Sequence, residues 1–180
     1  MLGILFLAGL ALGTGAQLYA FHRWGCYHWP WPTANGRVDV GYRFGTVFTN
    51  RDYRGAFLGA RNVWNTAPPT NFFEAANKKS AKATWSASAY GFNGWLGLAT
   101  IYINGCVITK ASSKINDTYM QSASYSQTNI DHVACQEVGH TLGLDHNRNA
   151  TNTCMNDTIL TVGNQINQHD RDELDLVIYP

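Results

Sequence analysis

The chain has 180 residues and a mass of 19.9 kDa, which is the size of one domain with its own hydrophobic core. Thirteen Lys and Arg residues against twelve Asp and Glu residues leave a net charge of +1, so we expect no nucleic-acid partner and no electrostatic attraction to anionic membranes. An apolar content of 45% with 13% aromatic residues argues against a disordered chain.

The first residues are predicted to form a secretory signal peptide. Met1 to Ala16 (MLGILFLAGLALGTGA) is an apolar run that ends in small residues. A membrane span needs about 20 apolar residues, whereas this run has the length of a signal-peptide core. Cleavage is expected after Ala16 or after Ala20, which leaves one domain over residues 21–180. The mature protein is then expected to be secreted, monomeric and without stable membrane association; the alternatives are an uncleaved anchor or a buried strand.

The first half of the domain is predicted to contain a packed aromatic segment, a strand, a helix and a series of short strands. The aromatic segment is FHRWGCYHWPWP at residues 21–32. Alternation of apolar and polar residues from Val38 to Phe44 is typical of a strand with one buried face. A helix between Asn50 and Pro68 has one apolar stripe, formed by Ala56, Ala60, Val63 and Trp64. Further strands are expected at 72–76, 84–90 and 98–103, with 106–115 continuing the sheet.

The second half is predicted to contain two helices. The first runs through His140, with Asn129 or Asp131 as its N-cap, and its inward-facing residues are Ile130, Val133, Ala134 and Val138. The second begins at a capping-box pattern over residues 170–173, and its apolar face is formed by Leu174, Val177 and Ile178. The order of elements predicts an α+β domain with a helix packed under a twisted sheet.

The sequence QEVGHTLGLDH brings together side chains that can bind a metal. Gln136 and His140 are four residues apart and therefore share one helix face, with Glu137 beside them. Gly143 allows the chain to leave the helix in a left-handed turn, so that His146 can return to the same point. Three donors beside one carboxylate are the layout of a catalytic zinc site with an open fourth position.

This segment resembles the metzincin metalloprotease signature, H-E-x-x-H-x-x-G-x-x-H followed by a Met-turn. Glu137, His140, Gly143 and His146 match the signature, and Met155 in TCMND is the candidate Met-turn. The short G-L-D-H ending and the Cys-Met turn are similar to the matrixin-like branch. The resemblance implies a single metzincin-like catalytic domain of the α+β class, with a twisted mixed sheet, a site helix, a Met-turn and a C-terminal helix.

The resemblance also implies a function, which is that of a secreted zinc-dependent endopeptidase acting on a protein or peptide substrate. Gln136, His140 and His146 would hold one zinc ion, and Glu137 would act as general base. The substrate would add to an edge strand of the sheet, for which residues 98–111 are the candidate. No residue pattern supports a calcium site.

The first ligand position departs from the family pattern, because Gln136 stands where the family has a zinc-binding histidine. A carboxamide oxygen can ligate zinc, but it is neutral and less basic than imidazole, so we expect a lower zinc affinity. His132 does not replace it, since eight residues of helix separate it from His140 by about 12 Å. Asp145 is a further candidate, either to reach the metal or to orient a ligand.

Two alternatives follow from this departure and from the aromatic segment. In the first, the protein is a weak or inactive pseudo-peptidase that keeps the fold for binding a protein or peptide. In the second, it is a carbohydrate-binding module that uses Trp24, Trp29 and Trp31. Zinc content and proteolytic activity separate the endopeptidase from both.

Four cysteines in an exported chain predict two disulfides. Of the three pairings, Cys135–Cys154 is favoured because each cysteine flanks a part of the metal-binding motif, and this leaves Cys26–Cys106. Closing the loop between residues 135 and 154 is expected to stabilise the fold by about 3 kcal/mol. The C-x-x-C spacing of zinc knuckles is absent from the sequence, which argues against a structural cysteine–zinc site.

Overall fold

A mixed five-stranded sheet and two long helices that pack on it make up most of the computed structural model, which describes residues 22–158 and 160–180. The predicted signal peptide and its cleavage positions lie outside the described residues. The elements in chain order are β1 (Val38–Val47), α1 (Tyr53–Trp64), β2 (Thr70–Glu74), β3 (Ala83–Ser88), β4 (Gly97–Asn104), β5 (Val107–Asn116), α2 (Asp117–Met120), α3 (Gln127–His140), α4 (Gln168–Asp172) and a π-helical turn (Glu173–Ile178). The predicted α+β class is confirmed.

The sheet has the strand order β2-β1-β3-β5-β4. The strands pair in parallel except for β4, which pairs antiparallel with β5. Among the described residues, no other strand pairs with the outer edge of β4. The predicted substrate region 98–111 is therefore divided, because residues 98–104 lie in this edge strand while 107–111 lie in the internal strand β5.

The core lies between the sheet and the helices α1 and α3. The apolar faces predicted for the two helices are turned inward, with only Val63 partly exposed. Trp64 joins the helices directly, because its indole Nε1 donates a hydrogen bond of 2.9 Å to the carbonyl oxygen of Cys135. On the sheet side, the ring of Trp85 stacks on Tyr42 at 3.9 Å between centroids. This packing fixes α3, which carries the metal-binding motif.

The predicted starts of the two C-terminal helices are wrong by a few residues. Ser126, and not Asn129 or Asp131, caps α3, since its hydroxyl accepts from the Asn129 N–H while the Asn129 side chain accepts in return. Asn167 and Asp170 form the same reciprocal pair at the start of α4. An amide or carboxylate at the third helical position can serve in such a box, so the residues assigned as caps lie one turn inside the helix. The short helix α2 was not predicted.

Both predicted disulfides are present. Cys26–Cys106 has a Cα–Cα distance of 5.3 Å and joins the N-terminal segment to the turn between β4 and β5. Cys135–Cys154 has a Cα–Cα distance of 5.9 Å and joins α3 to the loop that carries the candidate Met-turn. The N-terminal segment is packed as predicted around Trp29, which is 3% exposed. In the part of the chain that the structure describes, no helix combines the length and the apolar character needed to cross a bilayer.

Candidate metal centre

The end of α3 and the turn after it carry the two motif histidines. His140 is the last residue of α3, and Gly143 follows with a φ of 99°, a left-handed conformation that favours glycine. A Cβ atom at position 143 would also lie 2.3 Å from the carbonyl oxygen of Tyr27, so glycine is required on both grounds. The turn reverses the chain and brings His146 back to His140.

The imidazole rings of His140 and His146 face each other, with 3.2 Å between their Nε2 atoms. The His140 Nδ1 donates to the carbonyl oxygen of Leu144 at 2.8 Å, because a carbonyl only accepts, and this leaves a lone pair on Nε2. Burial lowers the pKa of His140 to about 4, so its ring is neutral at physiological pH. Two nitrogen ligands on a tetrahedral zinc ion lie ~3.3 Å apart. The two rings therefore already have the spacing of zinc ligands.

Gln136 lies one helical turn before His140 and lines the same cleft. Its Nε2 donates a hydrogen bond of 3.1 Å to the carbonyl oxygen of Cys154. Since a carbonyl cannot donate, this contact determines the orientation of the amide and leaves Oε1 as the atom that can bind a metal. The Cys154 contact thus gives the glutamine the same kind of backbone support that ligand histidines receive.

Glu137 is 6% exposed and lies where α3 meets the edge strand β4. Burial raises the pKa of its carboxyl group to about 8, although a hydrogen bond from the backbone N–H of Ala99 opposes this rise. Space for the carboxyl group depends on Gly97, where a Cβ atom would come within 2.5 Å of Glu137 Oε1. The site therefore holds a buried carboxyl group with a high affinity for a proton.

Met155 is fully buried beneath α3. It fits there because residue 139 is a glycine: a Cβ atom at Gly139 would lie 2.5 Å from the Met155 sulfur and 2.5 Å from Trp64 Cζ2. His132 Nε2 lies 2.9 Å from the carbonyl oxygen of Asn156, so this histidine fastens the Met155 loop to the helix. His132 thus takes a structural role outside the pair of facing histidines, in keeping with its expected distance from His140.

A charged pair that the sequence did not reveal lies against His146. Arg148 Nη2 is 3.0 Å from His146 Nδ1, and the same Nη2 is 2.7 Å from Asp157 Oδ2. Because a guanidinium only donates, the His146 proton lies on Nε2 in this arrangement. Zinc bound at Nε2 would require the proton on Nδ1, and Asp157, 3.5 Å away, is the carboxylate that can accept it. The only hint of this pair in the sequence is Asp157 itself, the last residue of TCMND.

Asp145 takes a local role at the same turn. Its Oδ1 accepts a hydrogen bond of 2.7 Å from the backbone N–H of His146 and lies 3.6 Å from His146 Nδ1. This carboxylate orients the turn around His146.

These residues open into a cleft with a volume of about 570 Å³. The edge strand β4 forms one wall through Gly97, Leu98 and Ala99, and the motif residues form the floor. Trp24 lies on the rim, with its ring centroid 5.8 Å from that of His140. The donor chemistry, an amide oxygen in the cleft and two imidazoles whose Nε2 atoms approach each other, fits a zinc ion.

Comparison with known proteins bears on this segment of the chain. Residues 118–161 match the sequence profile of a family described as Met-zincin. The predicted resemblance to metzincins is confirmed over this segment. The metzincin segment includes α3, the His146 turn and the Met155 loop. The matrixin-like detail stays a prediction.

Two further comparisons are not limited to this segment. A search of curated proteins found no match. Among solved structures, the chain is similar to high choriolytic enzyme 1, a hatching enzyme zinc-protease from Oryzias latipes (medaka fish). The identity is 15%, the TM-score is 0.42, and the match covers 74% of this chain and 55% of that chain. The chain therefore matches little more than half of that enzyme's length.

Proposed function

We propose that this protein is a zinc-dependent endopeptidase in which Gln136, His140 and His146 bind the metal and Glu137 is the general base. The observation that carries the proposal is the 3.2 Å separation of the two imidazole Nε2 atoms inside an open cleft. The neutral His140 ring presents its Nε2 lone pair to the Nε2 atom of His146, at the spacing of two ligands on one zinc ion. A divalent cation is the ligand that satisfies such a pair best.

Bound zinc would lower the pKa of its coordinated water to about 7 and polarise the substrate carbonyl. Glu137 would accept the proton of the attacking water and then deliver it to the leaving amine. The carboxyl group lines the cleft, and Gly97 of the edge strand leaves room for it there. The hydrogen bond from the Ala99 N–H would keep the carboxyl group oriented towards the edge strand during both transfers.

The substrate would bind along the outer edge of β4. A strand whose outer edge has no partner among the described residues offers backbone N–H and C=O groups to an added strand. Leu98 and Ala99 of this strand line the cleft, so a peptide paired there would pass the motif residues. This arrangement favours extended protein or peptide substrates. The two disulfides support export to an oxidising compartment, as expected for a secreted enzyme.

A second candidate function is that of a pseudo-peptidase, and Gln136 is the observation in its favour. A neutral amide oxygen binds zinc more weakly than imidazole, and the same edge strand and cleft could hold a peptide without cleaving it. The two functions predict different zinc contents for the purified protein and different behaviour towards an unfolded substrate.

Zinc content and casein cleavage of the purified full chain decide between them. We expect bound zinc and measurable cleavage in the wild type, and retained zinc without cleavage in Glu137→Gln, because that variant removes the base but no ligand. His28→Gln, a buried histidine outside the motif, is the matched control and should cleave normally. Cleavage that persists in Glu137→Gln at the wild-type rate contradicts Glu137 as the general base, and absence of cleavage in the wild type with tight peptide binding supports the pseudo-peptidase.

A further inference from the structure

A second group of metal-ligating side chains lies where the N-terminal segment meets the C-terminal helix. His22, His169 and Glu173 each present one ligand atom, and these atoms all lie within 4.8 Å of one another. None of the three belongs to the described residues that line the cleft. His22 is 6% exposed and Glu173 is 2% exposed, so two of the three side chains are buried.

Two of these buried ligand atoms have no hydrogen-bond partner, namely His22 Nε2 and Glu173 Oε1. A buried polar atom left unsatisfied is costly, and native structures contain few of them. His22 and Glu173 are also joined directly, because the backbone N–H of His22 donates a hydrogen bond to the Glu173 carboxyl group. The unsatisfied atoms are thus held next to each other.

The orientation of His22 is that of a metal ligand. Its Nδ1 lies 2.9 Å from the carbonyl oxygen of Asp145 and must donate to it, because the carbonyl only accepts. The Nε2 atom of the neutral ring then carries the lone pair, and the ring stacks on that of His169 with 4.9 Å between centroids. His140 is oriented by Leu144 in the same way, and such support by a backbone carbonyl is common for histidines that bind metals.

A proton shared between His22 and Asp170 is the competing explanation, since His22 Nε2 lies 3.4 Å from Asp170 Oδ1. The Asp170 carboxylate already accepts three hydrogen bonds, however, and His22 Nε2 makes none to it. Its oxygens accept hydrogen bonds from Thr153, Asn147 and the backbone of Asn167. A protonated His22 would also leave Glu173 Oε1 unsatisfied, whereas a cation between the ligand atoms would satisfy both residues.

We propose that His22, His169 and Glu173 form a second metal site whose preferred ion is zinc, with the fourth position left to water. Two imidazoles and one carboxylate are a zinc ligand set, while calcium prefers oxygen ligands alone. The bound ion would join residue 22 to the C-terminal helix. Both backbone groups of Asp145 bond to His22: the N–H donates to the His22 carbonyl oxygen, and the carbonyl accepts from the His22 ring. The ion would therefore also stabilise the turn that carries His146.

Zinc content of a variant without the first site tests this proposal independently of the proposed function. In full-length protein carrying His140→Ala and His146→Ala, loaded with zinc and dialysed, we expect one zinc per chain. Adding Glu173→Gln or the more exposed His169→Gln should reduce this to less than a tenth, while adding His28→Gln should leave it unchanged. Co²⁺ loaded in place of zinc should give the absorption of a tetrahedral site that disappears with the same two substitutions.

Circular dichroism and the zinc-induced rise in melting temperature separate loss of the site from loss of the fold. The site variants should keep the wild-type spectrum without zinc and should lose only the rise on adding zinc. The proposal is overturned if the double variant holds no zinc, or if its zinc content and Co²⁺ absorption survive in both Glu173→Gln and His169→Gln.

Discussion

Gly97 lies directly against the Glu137 carboxyl group, because a Cβ atom at position 97 would come within 2.5 Å of Glu137 Oε1 and of Val133 Cγ1. Gly97→Ala is therefore expected to displace the proposed general base without touching a proposed metal ligand. A misplacement of about 1 Å can cost ~100-fold in rate, so we expect kcat/KM for a peptide substrate to fall by at least tenfold (~1.4 kcal/mol) while zinc content is kept. Gly45→Ala, a strand glycine whose nearest neighbour for a Cβ is 3.3 Å away, is the control. Equal activities in the two variants would contradict this role for Gly97.

The high pKa of Glu137 makes the stability of the metal-free protein depend on pH. The pKa is about 8 in the folded protein and 4.5 in an ordinary glutamate, so between pH 7 and pH 8 the folded state holds a proton that the unfolded state lacks. Stability then falls as pH rises, and the part due to Glu137 is about 1 kcal/mol over this interval. The histidines do not cancel it, because at pH 7 and above they are mostly neutral in the unfolded chain and burial keeps His140 neutral in the folded chain.

Urea unfolding in the presence of a chelator, at pH 7 and at pH 8, measures this dependence. The free energy of unfolding should differ less between pH 7 and pH 8 in Glu137→Gln than in the wild type, by about 1 kcal/mol. Glu74→Gln, at an exposed strand position, should retain the wild-type difference. The same pH dependence in wild type and Glu137→Gln would show that this carboxyl group does not hold the proton.

Replacing the unusual ligand should strengthen metal binding. In Gln136→His an imidazole stands where the amide oxygen was, and its greater basicity should raise the zinc affinity by at least tenfold, which corresponds to ~1.4 kcal/mol. Isothermal titration with zinc on the chelator-treated protein measures the change. Gln136→Ala is the opposite variant and should bind zinc more weakly than the wild type. If both variants bind zinc as the wild type does, Gln136 is not a ligand.

Asp157 should matter to zinc binding without touching the metal, because it is the acceptor available to His146 Nδ1 once zinc occupies Nε2. Asp157→Asn removes the negative charge that would stabilise this proton, and loss of such support typically costs 10–100-fold in metal affinity, or ~1.4–2.7 kcal/mol. Competition with a chromogenic chelator measures the affinity. The control is Asp39→Asn, since Asp39 is exposed and accepts a hydrogen bond from Asn71 on the neighbouring strand. An unchanged affinity in Asp157→Asn would leave Asp145, whose Oδ1 lies 3.6 Å from His146 Nδ1, as the acceptor in the metal-bound state.

The sequence was sufficient to predict those parts of the fold in which local patterns decide the outcome. The alternation from Val38 onwards became β1, and the spacing of Gln136 and His140 placed both on one face of α3. The helix starts were harder to predict, because Asn129 can serve as a cap or as the third residue of a capping box. In the structure, Ser126 and Asn167 are the N-caps.

The contacts that sequence could not supply are those made between distant loops. Arg148 and Asp157 meet at His146 only because the Met155 loop folds back on the turn. His22 meets Glu173 across nearly the whole chain, and no spacing rule relates them. The Gly97 contact is of the same kind, since it depends on how closely β4 approaches α3.

The outer edge of β4, which pairs with no other strand among the described residues, has a consequence for the protein in concentrated solution. Its exposed side chains include Leu98, Tyr102 and Ile103, so one copy could use the edge to pair with another. Lys114 and Lys110 stand opposite Leu98 and Tyr102 on β5, and their charges would repel a second copy approaching in register. Concentrated stocks should therefore cloud sooner in high salt, where such repulsion is screened.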